Sequence, residues 1–285
     1  MKNLAYYNGK FGELEEMSIP FGDRVSFFGD GVYDATYSRN YKIFALDEHI
    51  DRLYNSAGLL RIEIAQTKEE MKAILNEMLS KMDTGNNFVY WQVTRGAGVR
   101  NHLFPQDGSK GNLWINIFHK ELADTYKKVK LITKEDTRFL HCNIKTLNLI
   151  PAVIASQEAY EQGCQETVLH RGDRVTECAH SNVHILKNGV LITAPTDHLI
   201  LPGISRAHLI KGCKKLGIPV DETPFTVKEM MEADEVIVTS SGSLCLAAEM
   251  IDGQPVGGKD PVRLKALQDE AVRDFQAGTE YKRCL

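Results

Sequence analysis

The sequence has no long hydrophobic run and no surplus of basic residues. No segment approaches the roughly 20 consecutive apolar residues that a membrane-spanning helix needs, so we do not expect a transmembrane protein. The 34 lysine and arginine residues are outnumbered by 38 aspartate and glutamate residues, whereas nucleic-acid-binding proteins usually carry a basic surplus. The first residues contain no apolar signal region, so we expect a cytoplasmic protein.

Cysteine and histidine are few, and neither follows a metal-binding pattern. No two cysteines form a C-x-x-C pair, and in an intracellular chain we expect them to be free thiols. The six are Cys142, Cys164, Cys178, Cys213, Cys245 and Cys284. No H-E-x-x-H occurs, and His180 and His184, which are four residues apart, have no suitably spaced acidic partner. We therefore predict no metal site.

Three common catalytic and nucleotide-binding motifs are also missing. No G-x-G-x-x-G follows a strand, and no G-x-x-x-x-G-K-[ST] is present, so nicotinamide and P-loop nucleotide sites lack support. No G-x-S-x-G is present, which removes the main signature of a serine hydrolase.

The hydrophobic periodicity predicts a mixed α/β (α+β) protein. A helix is expected to start with Asp47 as its N-cap and to run to about Leu60. Thr67 with Glu70 forms a capping box at the start of a second helix. The segments Phe88–Thr94 and Leu113–Phe118 alternate and are rich in β-forming residues, so both are predicted strands.

The apolar pattern lapses and the charge rises shortly after the second of these strands. We interpret residues 121–126 as a linker. It divides the chain into a small N-terminal α/β domain, residues 1–120, and a larger C-terminal domain, residues 127–285.

One lysine stands out by its surroundings. Lys145 lies in the segment Cys-Asn-Ile-Lys-Thr-Leu-Asn-Leu, which is otherwise apolar or amide-bearing. Burial disfavours the ammonium form and makes a lysine a usable nucleophile toward aldehydes. The alternative is a lysine at a strand end with its amine in water, which is more common for a lysine considered alone.

A carboxylate with possible cofactor chemistry is found at the end of a predicted hairpin strand. Glu177 could hold a pyridine nitrogen in its protonated form, as a pyridoxal cofactor requires. The alternative is an exposed glutamate at the end of a strand.

Two backbone segments and one arginine could bind a phosphate. The segment 203–205 immediately precedes a helix, so its N–H groups and the helix dipole suit an anion. The segment 240–243 follows a buried strand and offers serine hydroxyls. Arg52, on the helix predicted after Asp47, could reach inward to the same group. An ordinary N-cap, a serine-rich loop and a surface ion pair are the alternatives.

Arg100 and His102 follow a predicted strand within a glycine-containing loop. Two residues apart in an extended chain, they would point the same way and could bind a substrate carboxylate together. A basic surface loop is the alternative.

These segments together resemble the fold-type IV pyridoxal-phosphate enzymes. That family includes branched-chain aminotransferases, D-amino acid aminotransferases and aminodeoxychorismate lyase. The resemblance extends from Tyr7 to Gly253, nearly the whole chain. It is carried by FGDGVY from Phe28, EHIDRLY from Glu48, IKTLNL from Ile144, VTE from Val175, SNV from Ser181, LPGISR from Leu201 and VTS from Val238.

The resemblance implies a two-domain fold, with a β-barrel-like core in the larger domain, and pyridoxal 5'-phosphate as cofactor. Lys145 would form the Schiff base and move the proton between Cα and C4′, and Glu177 would bind the pyridine nitrogen. The phosphate would be held by Arg52, Ile204, Ser205, Ser240 and Ser241, and Leu201 would pack under the ring.

The resemblance also implies a substrate class. Tyr33, Arg100 and His102 match the carboxylate-binding set of the members that act on D-amino acids. In those members the Arg-x-His pair comes from the neighbouring subunit, so a homodimer is implied. The expected reaction moves the amino group of D-alanine and similar amino acids to 2-oxoglutarate, giving pyruvate and D-glutamate. Alternatives are a branched-chain L-aminotransferase, 4-amino-4-deoxychorismate lyase and a cofactor-binding protein without catalysis.

Five positions depart from the family pattern. Cys178, Ala179 and His180 stand where glycine and small hydroxyl residues are usual, and His180 could narrow the pocket or face outward. Gly242 replaces a common hydroxyl residue, and the small Ala35 could widen the pocket. The preferred substrate side chain is therefore not predicted.

Overall fold

The computed structural model describes residues 2–280, and its internal contacts divide the chain into two units. The first unit consists of residues 2–122, 144–148 and 276–280, and the second consists of residues 123–143 and 149–275. The short segment that carries Lys145 therefore belongs by its contacts to the first unit, although it lies in the C-terminal half of the sequence. The division at residues 121–126 that we predict from the sequence stays a prediction.

The first unit is built on a six-stranded, fully antiparallel sheet. Its strands run in the spatial order β2-β1-β6-β5-β3-β4. They are β1 (Asn3–Tyr7), β2 (Lys10–Glu13), β3 (Gly31–Arg39), β4 (Lys42–Ile43), β5 (Asn87–Thr94) and β6 (Asn112–His119). The helices are a 3-10 turn (Leu14–Glu16), α1 (Arg24–Phe28), α2 (Leu46–Leu59) and α3 (Lys68–Ser80).

The apolar faces of α2 and α3 pack with one face of this sheet to form its core. Ile50, Leu53 and Leu75 are fully buried beside Trp91 of β5. The predicted capping box is confirmed, because Thr67 accepts from the N–H of Glu70 and the Glu70 carboxylate accepts from the N–H of Thr67.

The predicted start of α2 is wrong. The helix begins at Leu46, and its N-cap is Ala45 in the left-handed conformation with φ of 50°, so Asp47 lies inside the first turn. Asp47 still suits this place, because a carboxylate in the first turn is favoured by the helix dipole.

The second unit contains a nine-stranded mixed sheet that is curled into a half-barrel. Eight strands run in the order β12-β11-β10-β13-β14-β7-β8-β9, and β15 pairs with β14. They are β7 (Val129–Glu135), β8 (Glu166–Arg171), β9 (Arg174–Cys178), β10 (Asn182–Lys187), β11 (Val190–Thr193), β12 (Val220–Asp221), β13 (Glu235–Thr239), β14 (Leu246–Ile251) and β15 (Gln254–Pro255). Its helices are α4 (Ile150–Glu161), α5 (Ile204–Leu216), α6 (Val227–Glu232) and α7 (Pro261–Gly278), the last three residues of α7 grouping with the first unit.

The strands of this sheet supply most of the second unit's core. All five residues of β13 are buried, which fits a central strand whose side chains are covered on both faces. Leu131, Val236 and Ile185 lie in one cluster, and Leu209 of α5 lies in a second with Ile237. The expectation of a mixed α/β protein with a barrel-like larger part is confirmed.

Three further properties concern residues 2–280 as a whole. No helix there is both long enough and apolar enough to cross a membrane. The five cysteines in this range are free thiols, and Cys284 lies outside it. No group of three or more histidine, cysteine, aspartate or glutamate side chains in this range is placed to hold a metal ion.

The core of the first unit makes a quantitative prediction. Leu75→Ala removes a side chain with 0% exposure and leaves a cavity between α3 and the sheet. We expect the free energy of unfolding to fall by about 2–5 kcal/mol in urea titrations. Leu59→Ala is the matched control, because Leu59 is 50% exposed on α2 and should cost less than about 1 kcal/mol. Equal losses in the two variants would contradict the packing.

Candidate active site

Lys145 is held against strand β3 beside Tyr33. The N–H of Tyr33 donates to the carbonyl oxygen of Lys145 at 2.9 Å, and Val32 forms a bridge with Thr146. The Nζ of Lys145 lies 4.3 Å from the centre of the Tyr33 ring, which stacks on Tyr90 at 5.5 Å. The structure thus brings two of the predicted site residues together.

Gly31 allows this close approach. A Cβ at this position would lie 2.6 Å from the side chain of Leu147 and 2.8 Å from the carbonyl oxygen of Val93. Any other residue would push the lysine segment away from β3. Gly31, the second glycine of FGDGVY, therefore lets the segment that carries Lys145 pack closely against β3.

Arg52 is buried on α2 and pairs with a carboxylate of β3. Its Nε donates to Oδ2 of Asp34 at 2.9 Å and its Nη2 to Oδ1 at 2.7 Å. His49, one helical turn earlier, contacts the same Oδ1 through Nδ1 at 2.7 Å. Burial alone would raise the pKa of Asp34, but the charges and hydrogen bonds of Arg52 and His49 hold it well below its usual value.

Arg100 and His102 both pack against Phe28. The guanidinium carbon of Arg100 and the ring of His102 each lie 5.3 Å from the centre of the Phe28 ring. Both residues are exposed, and their loop has no regular structure, so the expectation of an extended segment is wrong. Both side chains thus contact the same ring, that of Phe28.

Arg24 anchors this loop through main-chain atoms. Its Nη1 donates to the carbonyl oxygens of Asn101 and Leu103 at 2.7 and 3.2 Å, and its Nε donates to Asp30 at 2.8 Å. The carboxylate of Asp30 fixes the arginine, and the arginine fixes the backbone around position 102. The loop is therefore tethered to the first residue of α1, although its side chains are exposed.

Glu177 lies near the end of β9 as a buried carboxylate held by hydrogen-bond donors. Arg138 donates through Nη1 to Oε1, Asn182 donates through Nδ2 to Oε2 at 3.0 Å, and the N–H of Leu201 donates to Oε2 at 3.1 Å. With 5% exposure and a guanidinium partner, Glu177 is a fixed negative charge. The structure thus places the main-chain N–H of Leu201 beside the Glu177 carboxylate, and the roles that the resemblance implies for these two residues stay predictions.

Asp136 holds Arg138 in place. Its carboxylate accepts from Nε and Nη2 of Arg138, both at 2.9 Å, and also from Arg171 and the hydroxyl of Thr176. Burial alone would raise the pKa of Asp136, but Arg138 and then Arg171 keep it below its usual value. Burial alone would lower the pKa of Arg138. The contacts with Asp136 and Glu177 outweigh that effect, and the pKa is raised.

Helix α5 begins at the predicted phosphate-binding segment. Its N-cap is Gly203, which provides no side-chain cap for the N–H groups of the first turn, including those of Ile204 and Ser205. A Cβ at position 203 would lie 1.9 Å from Oδ1 of Asn182, so any other residue would displace the Asn182 side chain that donates to Glu177. The first turn of α5 keeps main-chain donors that can bind an anion.

The second predicted phosphate-binding segment follows β13. Ser240 and Ser241 are half-buried, and the hydroxyls of Ser240 and Ser243 are 2.8 Å apart. The carbonyl oxygen of Gly242 accepts from the N–H of Ala123. These contacts tie the loop to itself and to residue 123, and Gly242 adds no hydroxyl to it.

Among the departures from the family pattern, His180 has a defined partner. Its Nδ1 lies 2.9 Å from Oε2 of the buried Glu166, which also accepts from the hydroxyl of Ser181 at 2.6 Å. Cys178 and Ala179 are buried, and His180 is exposed. His184 is buried between two threonine hydroxyls, and burial, aided by Arg206, lowers its pKa to about 3.

Sequence reasoning missed Asp34, Asp136 and Arg138. A signal for Asp34 was available, because a carboxylate in the otherwise uncharged strand GVYDATYS requires a buried partner. Arg138 gave no signal, because its partner Glu177 lies 39 residues further along the chain.

Comparison with known proteins identifies the family. Residues 31–251 match the family described as amino-transferase class IV, and the chain belongs to it. A D-alanine aminotransferase of Listeria monocytogenes serotype 4b is 40% identical over 267 residues, covering 92% of each chain. One of Staphylococcus haemolyticus is 35% identical and covers 93% of this chain and 95% of its own.

Solved structures show the same fold. The T.th. branched-chain amino acid aminotransferase with pyridoxamine 5'-phosphate has a TM-score of 0.87 at 26% identity, covering 98% of this chain and 95% of its own. The Escherichia coli branched-chain amino acid aminotransferase has a TM-score of 0.89 at 22% identity, covering 99% and 97%. The predicted family, its fold type, the aminotransferase class and the pyridoxal phosphate cofactor are confirmed.

The buried Asp136 makes a prediction about acid stability. Because its pKa in the folded protein is lowered, its ionic contacts stabilise the fold above the pKa of the unfolded chain, about 3.9, and are lost as the pH falls through the lower folded value. Asp136→Asn should therefore lower the free energy of unfolding more at pH 6 than at pH 3 in urea titrations. Asp173→Asn, in the exposed turn of the neighbouring hairpin, is the control and should change little at either pH. A pH-independent loss in Asp136→Asn would contradict this account.

Proposed function

We propose that this aminotransferase acts on D-amino acids. It would move the amino group of D-alanine and similar amino acids to 2-oxoglutarate, giving pyruvate and D-glutamate. The observation that carries the proposal is the presence of Arg100 and His102 on one loop, both against Phe28, in a chain 35–40% identical to proteins named D-alanine aminotransferase. We further propose that it works in the cytoplasm as a homodimer.

The residues present fit pyridoxal phosphate. A protonated pyridine nitrogen needs an anionic partner, and Glu177 is buried with Arg138, Asn182 and the N–H of Leu201 holding its charge. A phosphate needs convergent donors, and the first turn of α5 provides N–H groups without a side-chain cap. When bound, the cofactor supplies an electron sink that makes the Cα–H bond of an amino acid acidic.

The phosphate would be held by donors of different kinds. Ile204 and Ser205 would contribute main-chain N–H groups, and Ser240 and Ser241 would contribute hydroxyls. Arg52 would contribute a positive charge whose direction Asp34 fixes. Leu201 would give the ring an apolar surface.

Lys145 is the proposed catalytic base. Its Nζ would hold the cofactor covalently in the resting enzyme and, once released by the amino acid, would accept the proton from the substrate Cα. The Tyr33 ring beside Nζ and the backbone bond from the Tyr33 N–H hold the lysine on β3. A fixed base removes a proton from only the face of the substrate that is presented to it.

The substrate carboxylate would decide which face that is. In the proposed homodimer, Arg100 and His102 of one subunit would face Tyr33 of the other. Arg100 offers a planar fork that matches a carboxylate, and His102 and Tyr33 offer additional donors. Tethering of their loop by Arg24 limits the orientations that Arg100 and His102 can adopt. Binding the carboxylate on one side would then select the D-enantiomer.

A branched-chain L-aminotransferase is the second candidate. The solved structures at TM-scores of 0.86–0.89 include branched-chain aminotransferases, and this fold is therefore compatible with that chemistry. The D-selective assignment rests instead on the Arg-x-His pair and on the higher identity to D-alanine aminotransferases.

Half-reactions distinguish these candidates. Purified holoenzyme is mixed with D-alanine, or with L-alanine or L-leucine, without an amino acceptor. We expect D-alanine alone to bleach the visible cofactor band and to release pyruvate. Bleaching by L-leucine and not by D-alanine would establish the branched-chain candidate. Pyruvate from aminodeoxychorismate without an acceptor would identify a lyase.

Lys145→Ala should lose the covalently bound cofactor that borohydride fixes in the wild type, and Lys130→Ala should retain it.

The carboxylate-binding role predicts a specific kinetic change. Arg100→Ala and His102→Ala should each raise KM for D-alanine by about tenfold or more, because a charge-assisted contact is worth roughly 1.5–3 kcal/mol. The affinity for pyridoxal phosphate should stay within about twofold. Lys110→Ala is the matched control in the same loop, since Lys110 pairs with Glu63 at the surface. An unchanged KM in both Arg100→Ala and His102→Ala would refute the role.

A further inference from the structure

Strand β3 carries a charged side chain with no exposure. Asp34 is 0% exposed, between the half-buried Tyr33 and Ala35. A carboxylate in such a place is strongly destabilising unless it is fully paired. An uncharged polar side chain of similar size would fill the same space, so packing alone does not explain why position 34 carries a charge.

The pairing of Asp34 is bidentate and directional. Arg52 uses Nε for one carboxylate oxygen at 2.9 Å and Nη2 for the other at 2.7 Å. Two parallel bonds to a planar guanidinium fix both its plane and its direction, which one bond would not do. Asp34 therefore determines where the Arg52 guanidinium points.

His49 completes the arrangement without adding charge. Its Nδ1 lies 2.7 Å from Oδ1 of Asp34, and its ring packs edge-on against Trp91 at 6.2 Å. Burial lowers the pKa of His49, and the charges of Arg52 and Lys145 lower it further against the opposing effect of Asp34. Neutral at ordinary pH, His49 donates through Nδ1, and its Nε2 has no hydrogen-bond partner within residues 2–280.

We propose that Asp34 is a positioning residue for the cofactor phosphate. Through the two-bond pair it holds Arg52 ready to bind the phosphate group, so that no ordering of the arginine is needed when the cofactor arrives. The proposal rests on the phosphate-binding role given to Arg52 under the proposed function. Asp34 itself touches neither cofactor nor substrate in this scheme.

The test separates the phosphate from the rest of the cofactor. Full-length apoprotein is titrated with pyridoxal phosphate and, separately, with pyridoxal. Asp34→Asn should raise Kd for pyridoxal phosphate by roughly 10- to 100-fold, the usual size for the loss of a supporting partner, and Kd for pyridoxal by less than about threefold. Asp34→Glu, which keeps two acceptor oxygens, should restore most of the affinity for pyridoxal phosphate.

The chain offers a matched control in the same unit. Asp30 also pairs with arginines, accepting from Nε of Arg24 at 2.8 Å and from Nε of Arg95 at 2.9 Å. Asp30→Asn breaks a comparable charged pair, and it should leave the ratio of the two dissociation constants unchanged. An equal change of that ratio in both variants would overturn the proposal, because any damage to this unit would then have the same effect.

A double-mutant cycle tests whether Asp34 acts through Arg52. In an Arg52→Ala background, Asp34→Asn should change Kd for pyridoxal phosphate by less than about twofold. A full loss in that background, or an equal loss for both aldehydes in the single variant, would overturn the proposal. A wild type that binds pyridoxal phosphate no more tightly than pyridoxal would also overturn it. A wild type that binds the cofactor and does not transaminate D-amino acids would refute the proposed function alone.

A second measurement does not depend on the folding of Asp34→Asn. The Nε–H resonance of Arg52 in the wild-type apoprotein can be assigned by its absence in Arg52→Lys. We expect slow exchange of this proton with solvent, and a shift on addition of pyridoxal phosphate and none with pyridoxal. Rapid exchange would show that Arg52 is not held before the cofactor binds, and would overturn the proposal.

Discussion

In each unit, the proposed cofactor-binding residues depend on one kind of interaction, an ion pair between a buried carboxylate and an arginine. Asp34 and Asp136 each receive a two-bond arginine pair, and each is tolerated in the interior only because of it. Breaking either pair would leave an uncompensated charge, so the arginines have no alternative conformation of similar energy. Arg52 and Arg138 are therefore fixed by the fold and not by a ligand.

The buried histidines keep the charge of their surroundings independent of pH near neutrality. His184 uses both ring nitrogens on the hydroxyls of Thr193 and Thr239, and His49 uses one on Asp34. Burial is the largest effect lowering the pKa of each, so both are neutral at ordinary pH. The permanent charges beside these histidines are consequently set by paired arginines and carboxylates, Arg52 with Asp34 and Arg206 with Glu222.

Features that depend on local pattern can be predicted from the sequence. The capping box at Thr67 is a property of four consecutive residues and is confirmed. Lys145 and Glu177 are candidates on the same kind of local evidence, and their roles stay proposals. The predicted start of α2 is wrong because Ala45 adopts a left-handed conformation, which an alanine does not favour. The roles of Asp34 and Arg138 depend on partners 18 and 39 residues away, and no periodicity reveals such pairs.

The way Arg24 anchors the loop has a consequence for the evolution of substrate choice. Its bonds reach the carbonyl oxygens of residues 101 and 103, which every amino acid possesses, rather than the side chains of Arg100 or His102. Substitutions at those two positions remove contacts with Phe28 but leave these main-chain bonds available. Under the carboxylate-binding role proposed for Arg100 and His102, enantiomer preference could then change by single replacements while the backbone of the loop keeps its anchor.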